Sequence, residues 1–255
     1  MPLRIGFDLD GVFADMEAAL VRCATDVFGE AMIERLQERA KDDGGGSETT
    51  APATDAEGAA DTGGPTVADN TPPILRIKMT PRQTSRLWRH VETIENFWQD
   101  LQEIESGSLA RLAELAAAHR WEIIFLTKRP STAGLTSQVQ SQKWLESKGF
   151  ALPSVFVVQG NRGRIAQSLD LDIVVDDRPE NCLDVVTDSK ARAVLVWREK
   201  QQGLPTAARR LGIGVVESMN ECLNILVQID TIKPEEKPGV FDRIMRLLGR
   251  GTTPS

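Results

Sequence analysis

The chain opens on an alternation. Leu3, Ile5 and Phe7 are apolar and separated by Arg4 and Gly6, and the run gives out at Asp8-Leu9-Asp10-Gly11. Period-two alternation ended by a glycine predicts a strand that begins almost at the N-terminus. Further on, short apolar runs recur at Glu122–Leu126, Val155–Val158, Ile173–Val175 and Ala193–Val196. They are Val/Ile-rich and continuous rather than alternating, and segments of helical spacing separate them: Leu109–His119, Leu135–Lys148, a short piece near Ile165, Pro179–Val186 and Glu217–Val227. Strands apolar on both faces, alternating with helices, predict an α/β, Rossmann-like parallel sheet covered by helices on both faces. Ligands of such sheets bind beyond the carboxyl ends of the strands.

Between the first strand and the second lies a different pattern. Residues from Ala14 to about Ala40 carry apolar positions at helical spacing. Thr80-Pro81-Arg82-Gln83 is a helix start, with an N-cap threonine, proline at the first helical position and glutamine closing a capping box. Leu87, Val91, Ile94, Trp98 and Leu101 then predict one stripe of a long amphipathic helix packed on the helix before it. Trp88, Phe97 and Trp98 are read as core, and Arg82, Arg86 and Arg89 as a solvated face. The expected division is therefore a core of residues 1–13 and 107–230, a helical cap of 14–106 inserted after the first strand, and a tail of 231–255.

Composition changes this picture in two places. The chain of 255 residues has a net charge of −7, and residues 41–73 hold seven acids (Asp42, Asp43, Glu48, Asp55, Glu57, Asp61, Asp69) against the single base Lys41. Prolines aside, Val67 is the only apolar residue there larger than alanine, so the segment cannot offset its ordering entropy and reads as a disordered acidic linker. The rest of the chain is close to neutral, and nothing in it suggests DNA or RNA binding. In the tail, Val240–Gly249 sets arginines against an apolar face, a short amphipathic helix suited to docking on the chain itself or on a protein partner. There is no basic-apolar leader and no run of about 20 apolar residues. Cys23, Cys182 and Cys222 are too scattered for a disulfide framework, which points to a cytoplasmic protein.

The candidate chemistry sits at three strand ends: Asp8/Asp10, Thr127/Lys128 and Asp176/Asp177. Carboxylates this close raise each other's pKa unless a cation lies among them. A Mg²⁺ with a small phosphate ester meets that need, since Mg²⁺ takes few carboxylates and completes its shell with phosphate and water. Asp8 would attack phosphorus, Asp10 would move the proton, and Asp8, Asp10, Asp176 and Asp177 would supply the metal. Thr127 and Lys128 would hold phosphoryl oxygens. His90 and His119 have no ligand-spaced neighbours, and Gly160-x-x-Gly163 is too short for a phosphate loop.

Asp8-Leu9-Asp10-Gly11-Val12, Leu126-Thr127 and Val175-Asp176-Asp177-Arg178-Pro179 resemble, in order, motifs one, two and four of the haloacid-dehalogenase-like phosphohydrolases. The resemblance implies Asp8 as nucleophile, Asp10 as general acid/base, Thr127 as phosphate binder and Asp176/Asp177 as the Mg²⁺ site. The layout is most similar to 5′(3′)-deoxyribonucleotidase-like members, which implies a nucleotide as substrate. The family's motif-three lysine has no counterpart in Gln159-Gly160-Asn161-Arg162-Gly163-Arg164-Ile165. Arg164, ahead of Arg162, or Lys143 one helix earlier, would replace it. Two alternatives remain open at this point: a non-catalytic binding or scaffold protein on the same fold, which the missing lysine favours, and a phosphotransferase.

Overall fold

The computed structural model describes residues 2–43, 79–198 and 210–231. Most of the expected acidic linker and the expected tail helix at Val240–Gly249 lie outside these residues. Six strands form one sheet: β1 (Arg4–Asp8), β2 (Glu122–Thr127), β3 (Ser154–Val157), β4 (Ile173–Asp176), β5 (Arg192–Val196) and β6 (Gly214–Val216). Every pairing is parallel, and the order is β3-β2-β1-β4-β5-β6. The expected α/β parallel architecture is what the structure has. Its chain winds outward from β1 through β2 and β3 on one side, then from β4 through β5 and β6 on the other. The reversal of direction, where ligands of open α/β sheets bind, therefore falls between β1 and β4.

Central β1 is buried on both faces, with Ile5 and Phe7 fully inaccessible. Phe7, Phe13 and Phe125 pack at 5.5–6.4 Å between ring centroids. Around the sheet lie α4 (Ser108–His119), α5 (Ser137–Ser147), α6 (Arg162–Ser168), α7 (Pro179–Asp188) and α8 (Met219–Thr231). Gly163 lets α6 and α7 approach: a Cβ on it would stand 2.1 Å from the Asp184 carbonyl oxygen. No substitution fits there without moving α6 bodily. β6, three residues long, has too short an apolar run to stand out in the sequence.

The chain divides into two compact units, one of residues up to Met16 and from Glu95 onward, the other Glu17–Ile94. In the smaller unit the expected single helix over 14–40 is two, α1 (Met16–Phe28) and α2 (Glu30–Asp43). Gly29, at φ +84°, breaks it. The helix α3 (Pro81–Thr93) has the expected capping box, with the Thr80 side chain accepting from the Gln83 N–H and Gln83 from the Thr80 N–H. Leu87 and Val91 are buried, and the Arg86 guanidinium lies 5.5 Å from the Phe28 ring centroid, so α3 meets α1 as expected. The predicted stripe does not continue to Leu101, however. Ile94 is extended and Asn96 left-handed at φ 54°, which ends the helix. Trp98 lies in a 3-10 turn at Phe97–Gln99 and, with Leu101, is buried in the larger unit. Among the described residues no helix is long and apolar enough to cross a membrane.

Candidate active site

Parallel register builds the site. Phe7 pairs with Val175 and Asp8 with Leu126, so one step further along the strands sets Asp8 level with Asp176 and puts Thr127 one residue past Asp8. All three residues are buried, at 7%, 0% and 0% exposure. Beyond β1 the backbone turns sharply: the N–H groups of Phe13 and Ala14 both donate to the Leu9 carbonyl, and Gly11 N–H donates to Ala14. Gly11 has φ +81°, and a Cβ on it would lie 1.9 Å from an Asp177 carboxylate oxygen. The turn needs glycine for its conformation and again for its clearance.

Arg198, at the end of β5, ties this turn down by donating to the carbonyls of Gly11 and Val12 at 2.5 and 3.1 Å. The same guanidinium donates to Glu105 at 2.9 Å. Burial alone would raise the Glu105 pKa, but Arg198 and the N–H groups of Met219 and Asn220 outweigh it and hold the carboxyl below its usual range.

Asp8 is held from two sides. Its Oδ2 accepts the Asp10 N–H at 3.0 Å, and its Oδ1 accepts from Nη2 of Arg162. The Arg162 guanidinium is 1% exposed and its Nε lies 3.4 Å from Asp176 Oδ2. Nη1 and Nε of Arg162 are buried with no hydrogen-bond partner among the described residues. Asp176 also accepts from Asn181 Nδ2 at 3.0 Å and from the Arg178 N–H at 2.9 Å.

The sequence ranks Arg164 ahead of Arg162, and the structure reverses that order. Two residues on a helix stand about 200° apart, so with Arg162 turned onto the sheet Arg164 faces away. Arg164 is exposed and lines a groove with Phe156, Ile165 and Leu169 that none of the strand-end acids lines. Lys143 is exposed on α5, and Lys128 is partly exposed just past β2. Neither forms a hydrogen bond or ion pair with Asp8.

The sequence passes over Arg129 altogether. Its Nε and Nη2 grip the Asp10 carboxylate at 2.8–3.1 Å, and Thr127 Oγ1 donates to Asp10 Oδ2 at 3.1 Å. One signal was available: in an extended segment Arg129 lies on the same side as Thr127, two residues on.

Burial pushes the Asp8 pKa well above the ordinary range. Asp176, Asp177 and Asp10 add to the rise, and Arg162 opposes it. Burial likewise raises Asp176 against the pull of Arg162 and Asn181. Burial, then the Asp176 charge, push Asp177 up to about 8.

With Asp10 paired to Arg129, the carboxylates of Asp8 and Asp176 share one buried guanidinium, and Asp177 adds its charge to the raising of Asp8. Among the described residues no three acidic, histidine or cysteine side chains form a ready-made cage. Mg²⁺ does not require one, since it binds through one or two carboxylates with water and phosphate. The all-oxygen donor set and the excess negative charge fit a divalent cation.

A pH dependence follows. Carboxyl groups whose folded-state pKa is raised keep their protons in the native chain after the unfolded chain has lost them. Stability from these groups is therefore fully present below about pH 4 and is lost as pH rises, through about 8 for Asp177. In chelator, the melting temperature should be higher at pH 6 than at pH 8.5, and Mg²⁺ should raise it more at pH 8.5. Melting curves at both pH values check this; no difference in the Mg²⁺ effect contradicts it.

No family model matches the sequence, and no curated protein does. Among solved structures the chain is similar to one of Thermotoga maritima described provisionally as a beta-phosphoglucomutase, at 16% identity and a TM-score of 0.49 over 89% of this chain and 99% of that one. A hydrolase from Pseudomonas syringae aligns at 16% identity and a TM-score of 0.48 over 90% and 99%. A HAD family hydrolase from Deinococcus radiodurans R1, with bound phosphate and sodium, aligns at 16% identity and a TM-score of 0.47 over 89% and 96%.

Proposed function

We propose that this chain is a Mg²⁺-dependent phosphomonoester hydrolase of the haloacid-dehalogenase-like superfamily, acting through an aspartyl-phosphate on Asp8. One observation carries the reading. A buried carboxylate at the sheet's switch point is oriented by the Asp10 N–H and paired with a buried guanidinium that keeps a donor, Nη1, without a partner. An unsatisfied buried donor costs about 1–3 kcal/mol. A phosphoryl oxygen beside Asp8 would satisfy it.

In this reading Asp10 first binds a proton from solvent; Asp8 then attacks phosphorus and the P–O bond to the leaving alcohol breaks, its oxygen taking that proton from Asp10. Asp10 then takes a proton from the water that cleaves the acyl phosphate, returning Asp8 and inorganic phosphate. Arg162 Nη1 and, once it turns from Asp10, the Thr127 hydroxyl hold phosphoryl oxygens. Mg²⁺, held by Asp8 with Asp176 or Asp177, would offset the repulsion between carboxylate and phosphate. Arg162 also supplies the cation whose apparent absence favours a non-catalytic scaffold. A nucleotide is the first substrate class to test, on the motif resemblance alone.

The test is phosphate release from a panel of nucleotide, sugar and simple alkyl and aryl phosphates with Mg²⁺. Turnover abolished by chelator is expected. No release from any member contradicts the reading, and transfer to a sugar hydroxyl in place of water would make the chain a phosphotransferase.

A further inference from the structure

Arg129 is a fully enclosed charged side chain of the site, and its surroundings fix it rather than satisfy it by chance. Its side chain is 0% exposed. The guanidinium carbon lies 5.0 Å from the Trp98 ring centroid and 5.5 Å from that of Trp144. Both rings are anchored in turn: Trp98 Nε1 donates to the Pro130 carbonyl at 3.0 Å, and Trp144 Nε1 to the Leu101 carbonyl at 2.8 Å. Nη1 donates to Ser141 Oγ at 2.9 Å, and that hydroxyl donates to the Ser137 carbonyl at 2.7 Å. What remains of the guanidinium, Nε and Nη2, is spent on Asp10. Oδ1 receives both, at 3.1 and 2.8 Å, and Oδ2 receives Nε at 3.0 Å together with the Thr127 hydroxyl at 3.1 Å.

A carboxylate has about four acceptor positions, and three donor hydrogens of the chain face this one, the single Nε–H being shared between its two oxygens. Oδ2 is most open to a substrate oxygen when one of its two donors leaves. The Arg129 donors cannot, because the two rings, Ser141 and burial hold them. Thr127 Oγ1 can, by rotation about one bond. Asp10 Oδ2 is therefore the oxygen that comes free, and it does so when Thr127 turns elsewhere.

We propose that Arg129 is the positioning residue of Asp10. It locks the carboxylate plane so that Oδ2 is the working oxygen, and Thr127 covers Oδ2 until a phosphoryl group draws its hydroxyl away. The inference rests on the aspartyl-phosphate reading above, and adds to it the residue that aims the proton-transferring group and the event that uncovers it.

The test uses leaving-group dependence, because kcat/KM reads the steps up to departure of the leaving group. p-Nitrophenolate departs with little help from an acid, whereas an alkoxide needs one. Arg129→Met keeps an aliphatic body between the two tryptophans and removes the fork. Its kcat/KM should fall about 100-fold on the best alkyl phosphate of the panel and only about threefold on p-nitrophenyl phosphate. Asp10→Asn should show the same split. The double variant should be no worse than Asp10→Asn, since residues acting as one unit are not additive.

Equal losses on both substrates, or a double variant well below Asp10→Asn, overturn the inference and leave the hydrolase reading standing. A wild type inactive on every member of the panel overturns both. Should Arg129→Met not fold, Arg129→Lys carries the test. It keeps the charge without the fork, and must fall between wild type and Asp10→Asn with the same substrate split; a uniform loss overturns the proposal.

Discussion

Asp8→Asn is expected to abolish phosphate release, with a loss on the order of 10⁴-fold or more, the scale seen when a covalent nucleophile is removed. The same substitution should leave the melting temperature in chelator unchanged or raised. Both results follow from one feature. Asp8 is buried beside three other acids, its pKa is pushed up by burial first, and Arg162 only partly opposes that. Its negative charge is a cost that the fold does not need. An amide of the same shape removes that cost and keeps an oxygen to accept from Arg162. A dead enzyme that melts no earlier separates a nucleophile from a structural aspartate. If Asp8 were there only to pair Arg162, its neutralisation would lower the melting temperature and spare turnover.

Arg162→Met has the opposite character. It leaves Asp8 and Asp176 buried together without the guanidinium that faces both, at 1% side-chain exposure. Breaking a buried pair by deleting one partner costs about 3–5 kcal/mol. For a chain of this size that corresponds to a fall on the order of 10 °C in melting temperature. Mg²⁺ should return part of the loss by replacing the missing positive charge, and more of it than Mg²⁺ adds to the wild type. Activity should fall with it, because the donor meant for a phosphoryl oxygen is gone. Arg162→Lys keeps a point charge but not the geometry that spans Asp8 and Asp176, so it should recover stability further than activity. Thermal melts with and without Mg²⁺, alongside phosphate release, check both parts; an Arg162→Met protein as stable in chelator as the wild type contradicts them.

The strand ends were legible in the sequence because strands announce themselves by period and composition. Asp8, Thr127 and Asp176 each close an apolar run, and a parallel sheet must bring such ends to one edge. The cations were not legible, for a different reason. Whether Arg162 or Arg164 faces the sheet depends on the phase of a seven-residue helix, and its start is set by the Asn161 cap, which accepts the Arg164 N–H at 2.9 Å. A shift of two residues in that start would exchange their roles. Arg129 is harder still: an arginine seven residues before the helix N-cap Thr136 reads as surface, and the convergence of Trp98 and Trp144 from separate segments buries it. The break at Asn96 belongs to the same class. The apolar spacing from Leu87 to Leu101 is regular, but Trp98 finds its partners in Gln140 and Pro130, 42 and 32 residues away along the chain, and these long-range contacts override the local period.

The central claim is that phosphorus becomes bonded to Asp8. The most direct measurement is an acid quench of the Mg²⁺-loaded wild type during turnover of its best panel substrate, followed by peptide mass analysis. The account predicts one phosphoryl group on the peptide carrying Asp8, labile at neutral pH and absent from Asp8→Asn. Phosphate release without any such adduct, or an adduct on Asp10 or another residue, would contradict it.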